Sequence, residues 1–291
     1  MTDADSIQRF VFNAYPVRGQ IVHLDRTWGA VLERHDYPDA VRGVLGQALA
    51  ATVLMASTLK FDGRMTLQLQ GDGPLRLLVV QCTHDMRVRG LARWDDNVPN
   101  GTFREQVGDG RLVITIETDN RRQPYQGVVP LTGETLSECL TAYFETSEQL
   151  STRIWVAADA TRCAGLLLQR LPEEADEDPD AWQRIQLLAA TVSQSDELIE
   201  LSHRELLRRL FHEDDLRLHE AAEVQFECSC SSGRVESVLL SLGEDELQSI
   251  LDEEGEIGVV CEFCNKSRRF DSVDVARLLS GAAPNDSPTI H

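Results

Sequence analysis

The chain has 291 residues, 28 basic against 48 acidic, for a formal charge of −20 at pH 7, and 42% of it is hydrophobic. That length predicts two or more domains with a sizeable core. Such acidity argues against a nucleic-acid binder, whose phosphate contacts need Lys and Arg, and no membrane partner is expected either.

The N-terminal Met1-Thr-Asp-Ala-Asp-Ser lacks the basic and apolar regions of a signal peptide. The most apolar stretch, 48–59, is too short and too polar to span a bilayer. Both point to a cytoplasmic protein. Residues 1–171 hold 18 basic and 20 acidic residues, net −2, whereas 172–220 and 221–291 each hold 5 and 14, net −9.

Residues 7–12 read as a first strand and 17–24 as a second. A helical pattern covers 28–34. Pro38-Asp39 then opens a long Ala- and Leu-rich helix, expected to run to about Lys60 inside the core. From Arg64 the period changes to two, with Met65, Leu67 and Leu69 alternating with Thr66, Gln68 and Gln70. Gly71-Asp-Gly73-Pro74 is a turn and not a phosphate loop, because no Lys-Ser/Thr pair or helix follows it. Strands are expected at 75–81, 86–94 and 111–118. A helix to about Leu150 carries Leu136, Leu140 and Phe144 on one face. Strands at 153–158 and 163–171 close the domain. Residues 1–171 are therefore an α+β domain with an antiparallel sheet and packed helices.

Residues 171–180 contain six acids and two prolines, which marks a boundary. From 172 to 220 runs an acidic linker with two helical patterns. Trp182, Ile185, Leu188, Ala189 and Val192 form one stripe. The second pattern covers about 196–211, with a capping box from Ser202 to Glu205 ahead of Leu206, Leu207, Leu210 and Phe211. Even with all its large apolar side chains buried, Leu187 and Leu218 among them, this segment has too little core to order itself. It is expected to be metastable and to stay helical only while docked between its neighbours.

Residues 221–281 form a small C-terminal module, with helices expected at 234–242, 244–251 and 274–279, the last with Ser272 near its N-cap. A disordered tail is expected over 282–291. The module contains Cys228-Ser-Cys230, thirty further residues, and then Cys261-Glu-Phe-Cys264. Two close thiol pairs separated by a foldable gap can converge on one tetrahedral ion, and Zn²⁺ favours such a site because four thiolates saturate it. The one-residue and two-residue spacings are equally compatible with local disulfides. In a reducing compartment, clustered thiols read as metal-binding or redox-sensing. Four unrelated core cysteines would not produce this pattern within one short window.

The block Phe226-Glu-Cys228-Ser-Cys230-Ser, with Gly255-Glu-Ile and Cys261-Glu-Phe-Cys264-Asn, resembles the redox-regulated 33-kDa heat-shock chaperones of bacteria. Gln8-Arg-Phe10-Val-Phe12 and Leu67-Gln-Leu-Gln70-Gly-Asp-Gly73-Pro-Leu-Arg76 agree, so the resemblance spans nearly the whole chain. It implies an ATP-independent holdase, not an enzyme, that binds unfolded client proteins under oxidative stress. The resting form would be reduced, with one Zn²⁺ on Cys228, Cys230, Cys261 and Cys264. The active form would have lost the zinc, carry Cys228–Cys230 and Cys261–Cys264 bridges, and act as a homodimer.

Two rival readings remain at this level: a thiol-disulfide oxidoreductase and a static zinc-ribbon interaction module. The oxidoreductase needs an electropositive CxxC, yet Cys261 and Cys264 sit among Glu254, Glu256 and Glu262. Cys82, Cys139 and Cys163 read as core or surface bystanders. His203, His212 and His219 show no ligand spacing and read as solvated or structural. No nucleophile elbow points to a hydrolase.

Overall fold

The computed structural model describes residues 3–118, 123–172, 178–192 and 197–280. The tail expected to be disordered, 282–291, lies outside them. The chain divides into two compact units, Met1–Glu227 and Cys228–His291.

In chain order the first unit begins β1 (Ser6–Phe12), β2 (Val17–Leu24), α1 (Arg26–Leu32), α2 (Asp39–Thr58), β3 (Gly63–Gly71), β4 (Leu75–Thr83) and β5 (Arg87–Trp94). It continues α3 (Phe103–Val107), β6 (Gly110–Thr118), β7 (Tyr125–Pro130), α4 (Leu136–Thr146), β8 (Thr152–Ala158) and β9 (Cys163–Arg170). It ends α5 (Ala181–Ala189), α6 (Glu197–Glu200), α7 (His203–Leu210), β10 (Leu216–Leu218), β11 (Ala222–Glu223) and β12 (Gln225–Phe226). The class is α+β, as expected, but there are two sheets where one was read. The first runs β10-β1-β2-β9-β8, with β11 also on β1, and the second runs β12-β5-β4-β3-β6-β7. Pairing is antiparallel except between β12 and β5.

Helix α2 packs against strands of both sheets. Residues 48–56 are buried without interruption, so no face of this stretch meets water. A helix that is apolar all round is a core helix. Among the described residues α2 alone is long and apolar enough to cross a membrane, and 78% of its apolar window is buried inside the protein.

The first sheet is covered on both faces. Ile7, Val22, Leu24, Ile154, Val156 and Leu167 join the cluster around α2. Phe10, Phe12, Ile21, Leu166 and Leu168 point the other way, onto Ile185, Leu198, Leu206, Leu207, Leu210 and Phe211. The helices after β9 thus form an outer layer. This explains why β9 is buried at all but its last residue, where a half-solvated strand would alternate. Not every apolar side chain of that segment docks: Leu187 is 63% exposed and Leu218 37%.

Three rings form the centre of this layer. Phe12 meets Phe211 edge-on at 5.1 Å, and Phe10 lies 6.0 Å from Phe12 and 6.4 Å from Phe211. Phe10 lies directly over Gly19 of β2, where a Cβ would fall 2.0 Å from the ring. Gly19→Ala is therefore expected to displace Phe10 and to destabilise the docked helices by about 1–3 kcal/mol. The result should be a lower urea midpoint and earlier loss of amide protection in α5–α7. An unchanged midpoint would remove Gly19 from this role.

The chain after α7 departs from the helical reading. β10 pairs with β1, Leu216 opposite Phe12 and Leu218 opposite Phe10. β11 pairs with Ser6 and Ile7, and β12 runs beside Arg87 and Val88. Residues 222–227, read from sequence as part of the C-terminal module, thus join both sheets of the first unit. Between the two short strands Val224 is fully buried and donates its N–H to the Asp5 carbonyl at 2.8 Å. Strands of two or three residues carry no hydrophobic period, and the five-residue α3 and the Pro-ended β7 escaped the reading for a similar reason.

The second unit contains α8 (Ser232–Leu242), α9 (Glu244–Glu254), β13 (Ile257–Val260), β14 (Ser267–Phe270) and α10 (Ser272–Leu279). Its core is Leu239, Leu247, Leu251, Ile257, Phe270 and Val275. α10 begins earlier than expected, at Ser272. Its cap is Asp271, whose carboxylate accepts the N–H groups of Val273 and Asp274, so Ser272 is not the cap. α4 likewise stops at Thr146, short of Leu150.

Candidate metal centre

The four cysteines come from two arms of the second unit. Cys228-Ser-Cys230 leads directly into α8, whose N-cap Ser231 accepts the Arg234 N–H at 3.3 Å. Cys261 and Cys264 lie in the turn joining the antiparallel pair β13 and β14. The Cys261 N–H donates to the Lys266 carbonyl at 3.0 Å, and the Asn265 N–H donates to the Cys261 carbonyl at 2.7 Å. The turn requires a left-handed residue at Asn265, φ +54°, a conformation that Asn tolerates better than most residues.

The sulfurs converge. Cys228 Sγ lies 3.6 Å from Cys261 Sγ, Cys230 Sγ lies 3.2 Å from Cys264 Sγ, and all four are within 4.8 Å of one another. Sulfurs bound at about 2.3 Å to a tetrahedral zinc sit about 3.8 Å apart. The two contacts between the arms lie about 0.2 and 0.6 Å from that spacing, and the remaining pairs fall within 4.8 Å, so the cluster can close on such an ion with small side-chain shifts. Cys264 is buried and the other three are half-buried.

Burial pushes the Cys264 thiol up to about 12, the neighbouring thiols add to the shift, and the Lys266 N–H opposes it. Burial, with Cys228 and Cys261 adding to it, also raises Cys230. Four thiols this close resist ionising together, and a divalent cation reverses that preference. The donor set and its spacing thus suit a metal ion of the zinc class.

Two guanidinium groups hold the first arm, and the cysteine spacing did not reveal them. Arg268 donates to the Cys230 carbonyl at 3.0 Å and to Ser232 Oγ at 2.6 Å, and Arg234 donates to Ser229 Oγ at 3.1 Å. Arg268 is on β14, so it ties the hairpin arm to the CxC arm without using a sulfur. Both arginines also set positive charge beside a cluster that would carry net −2 with four thiolates around Zn²⁺.

An oxidoreductase CxxC opens a helix whose dipole lowers the thiolate pKa. Here the CxxC occupies a hairpin turn, and burial holds the Cys264 thiol well above its ordinary value. Cys82, Cys139 and Cys163 are all buried in the cluster around α2, and burial pushes Cys82 up to about 12. They are core residues.

An α+β unit with two sheets, followed by a small unit whose four cysteines can hold one metal ion, defines a two-part protein with a thiol-based metal module. Comparison with known proteins gives the class a family. The profile of the Hsp33 protein family matches residues 5–271. The 33 kDa chaperonin of Nitrosococcus oceani is 49% identical over 280 residues, covering 96% of each chain, and that of Methylobacillus flagellatus is 44% identical over 282 residues with the same coverage. The crystal structure of the 33 kDa chaperonin (heat shock protein 33 homolog) of Thermotoga maritima superposes with a TM-score of 0.84 at 25% identity, over 95% of this chain and 98% of that one. The chain belongs to the Hsp33 family, and with that membership comes a chaperone role.

Proposed function

We propose that this chaperone is an ATP-independent holdase switched by oxidation: resting when its four thiolates hold zinc, active when they are oxidised. The observation that carries the proposal is the convergence of Cys228, Cys230, Cys261 and Cys264 at tetrahedral spacing, with the CxC arm starting one residue after the first unit ends. Zinc, when bound, would cross-link the two arms of a unit whose hydrophobic cluster, among the described residues, is six buried apolar side chains.

In this reading Cys228 couples to Cys230 and Cys261 to Cys264. Each pair of thiolates gives up two electrons to one peroxide, takes up no oxygen, and with two protons yields a disulfide and two waters. The four sulfurs lose their charge and with it their affinity for the ion. The module then lacks its cross-link, and residues 172–220 act as a linker that comes away from the first sheet. That exposes Phe10, Phe12, Ile21, Leu166 and Leu168 together with the linker's own stripes, an apolar surface for non-native chains. The charge of −20 keeps the complex soluble. Family membership supports a homodimeric active form acting in the cytoplasm.

Light scattering of a thermally unfolding test protein checks the proposal. The peroxide-oxidised form is expected to suppress aggregation near stoichiometrically without ATP, and the reduced, zinc-loaded form is expected not to. Equal protection by both forms would overturn the switch.

Peptide mapping of the oxidised protein checks the pairing. Two sulfur contacts, at 3.2 and 3.6 Å, run between the arms, so the folded module leaves Cys228–Cys261 and Cys230–Cys264 within reach. Local pairs are expected because they need only a one- or two-residue loop and survive the opening of the module. A dominant bridge between the arms would refute this pairing.

A further inference from the structure

A second group of ligand-type side chains lies in the first unit. Asp3 precedes β1, His23 is on β2, and His203 is the first residue of α7. Each offers one ligand atom, and these atoms all lie within 4.8 Å of one another. The two imidazole rings are 4.7 Å apart and tilted by 48°. His203 is 1% exposed and His23 is 7% exposed.

The hydrogen bonding is unusual for a buried pair. His23 Nε2 lies 2.8 Å from the Leu198 carbonyl, so Nε2 carries the proton and donates it, leaving a lone pair on Nδ1. Asp3 accepts the His203 backbone N–H at 2.7 Å, which sets its carboxylate at the start of α7. The His203 ring has no such arrangement. Both Nδ1 and Nε2 are buried without a hydrogen-bond partner among the described residues. Nearly all buried polar atoms are satisfied, and one that is not needs a reason.

We propose that Asp3, His23 and His203 form a second divalent-metal site of the zinc class, with two imidazole nitrogens and one carboxylate oxygen as ligands. Imidazole with carboxylate suits Zn²⁺, Co²⁺ and Ni²⁺. The His23–Leu198 bond is the outer contact that orients a ligating histidine and fixes its tautomer. A bond of about 2.1 Å to each ligand puts tetrahedral neighbours about 3.4 Å apart, so atoms now within 4.8 Å of one another draw together on binding. Three protein ligands leave one position open, which makes this ion exchangeable where four thiolates make theirs closed.

The ligands come from the chain start, from the first sheet and from the docked helical layer. An ion here pins α7 to β2 and opposes the undocking that the proposed function requires. An ion that binds only the docked form lowers the undocked population by the factor 1 + [M]/Kd, about 100-fold at a metal concentration one hundred times Kd. The metal-binding test is independent of the holdase reading.

Cobalt is the probe, because its spectrum separates thiolate from nitrogen and oxygen ligands. Full-length reduced protein with one zinc on the thiolates is titrated with Co²⁺. One further cobalt is expected, with weak d–d bands and no thiolate-to-cobalt charge transfer. His203→Gln and His23→Gln should abolish these bands, and Asp3→Asn, on a partly exposed residue before β1, should weaken them without unfolding the sheet. Cobalt should slow hydrogen exchange in α6 and α7 of the parent protein and in neither histidine variant. No second cobalt in the parent overturns the site. So does charge-transfer absorption alone, or binding of parent affinity in both His203→Gln and Asp3→Asn.

Discussion

Replacing Cys264 with serine is expected to abolish zinc binding at the four-cysteine centre and to unfold residues 228–280, while the two-sheet unit stays folded. The reasoning starts from the size of the second core. Leu239, Leu247, Leu251, Ile257, Phe270 and Val275 are its buried apolar residues, and units this small rarely order themselves without a metal or disulfide. A structural zinc contributes about 10–16 kcal/mol to folding such a module. Cys264 is the one buried thiol of the four, so a serine there leaves a poor, neutral donor where the proposed site needs a thiolate. Thiolate-bound metal, read from the thiolate-to-cobalt charge transfer of the Co²⁺-loaded protein, should fall from one ion per chain to none. Amide protection in α8, α9 and the β13–β14 hairpin should vanish, while β3, β4 and β6 keep theirs. A chelator should have the same effect on the parent protein. A serine variant that retains both its zinc and its α9 protection would show that the fold of the second unit does not depend on the thiolates.

Under the proposed switch, Phe211→Ala is expected to give chaperone activity without oxidation. Phe211 is 2% exposed, ends α7, and packs on Phe10 and Phe12. Truncating a buried Phe costs about 3–5 kcal/mol, and at 1.4 kcal/mol per factor of ten this raises the undocked population by about two to four orders of magnitude. The polar ties of the layer compensate little. Arg209–Glu197 at 2.7 Å and Arg162–Glu200 at 3.3 Å are exposed pairs, worth a fraction of a kcal/mol each. The reduced, zinc-loaded variant should suppress aggregation that the reduced parent does not, and exchange in α5–α7 should accelerate. If β3–β6 lose protection at the same denaturant concentration as α7, the helices and the sheets form one cooperative unit, and the metastable linker is wrong.

Much of this architecture is readable residue by residue. The two-residue period of Met65-Thr-Leu67-Gln-Leu69 and the capping box at Ser202 and Glu205 were both visible, and the Ser202 cap is present with both its hydrogen bonds. These signals are local, because a strand or a helix start is specified within a few residues. The four cysteines were visible for the same reason. A CxC and a CxxC preorganise two ligands each, so the chain between them has only to fold back once.

What spacing could not supply was everything decided by distant segments meeting. The continuous apolar run of β9 has no period to show which layer covers each face, and only the docking of Ile185, Leu206 and Phe211 makes it a strand buried on both sides. Val224 is the single residue between two strands too short to register, and its burial follows from two sheets closing on one segment. Arg268 holds the CxC arm from a strand on the other side of the cysteine cluster. His203 read as a solvated or structural side chain because its neighbour His23 lies far upstream, and the two rings meet only once α7 has packed against β2. Periodicity and ligand spacing are properties of short stretches, so the sequence by itself determined the longer strands and helices and the pairing of the four thiols into one cluster. Burial and the pairing of remote polar groups depend on which surfaces come together, and only the tertiary structure decided those.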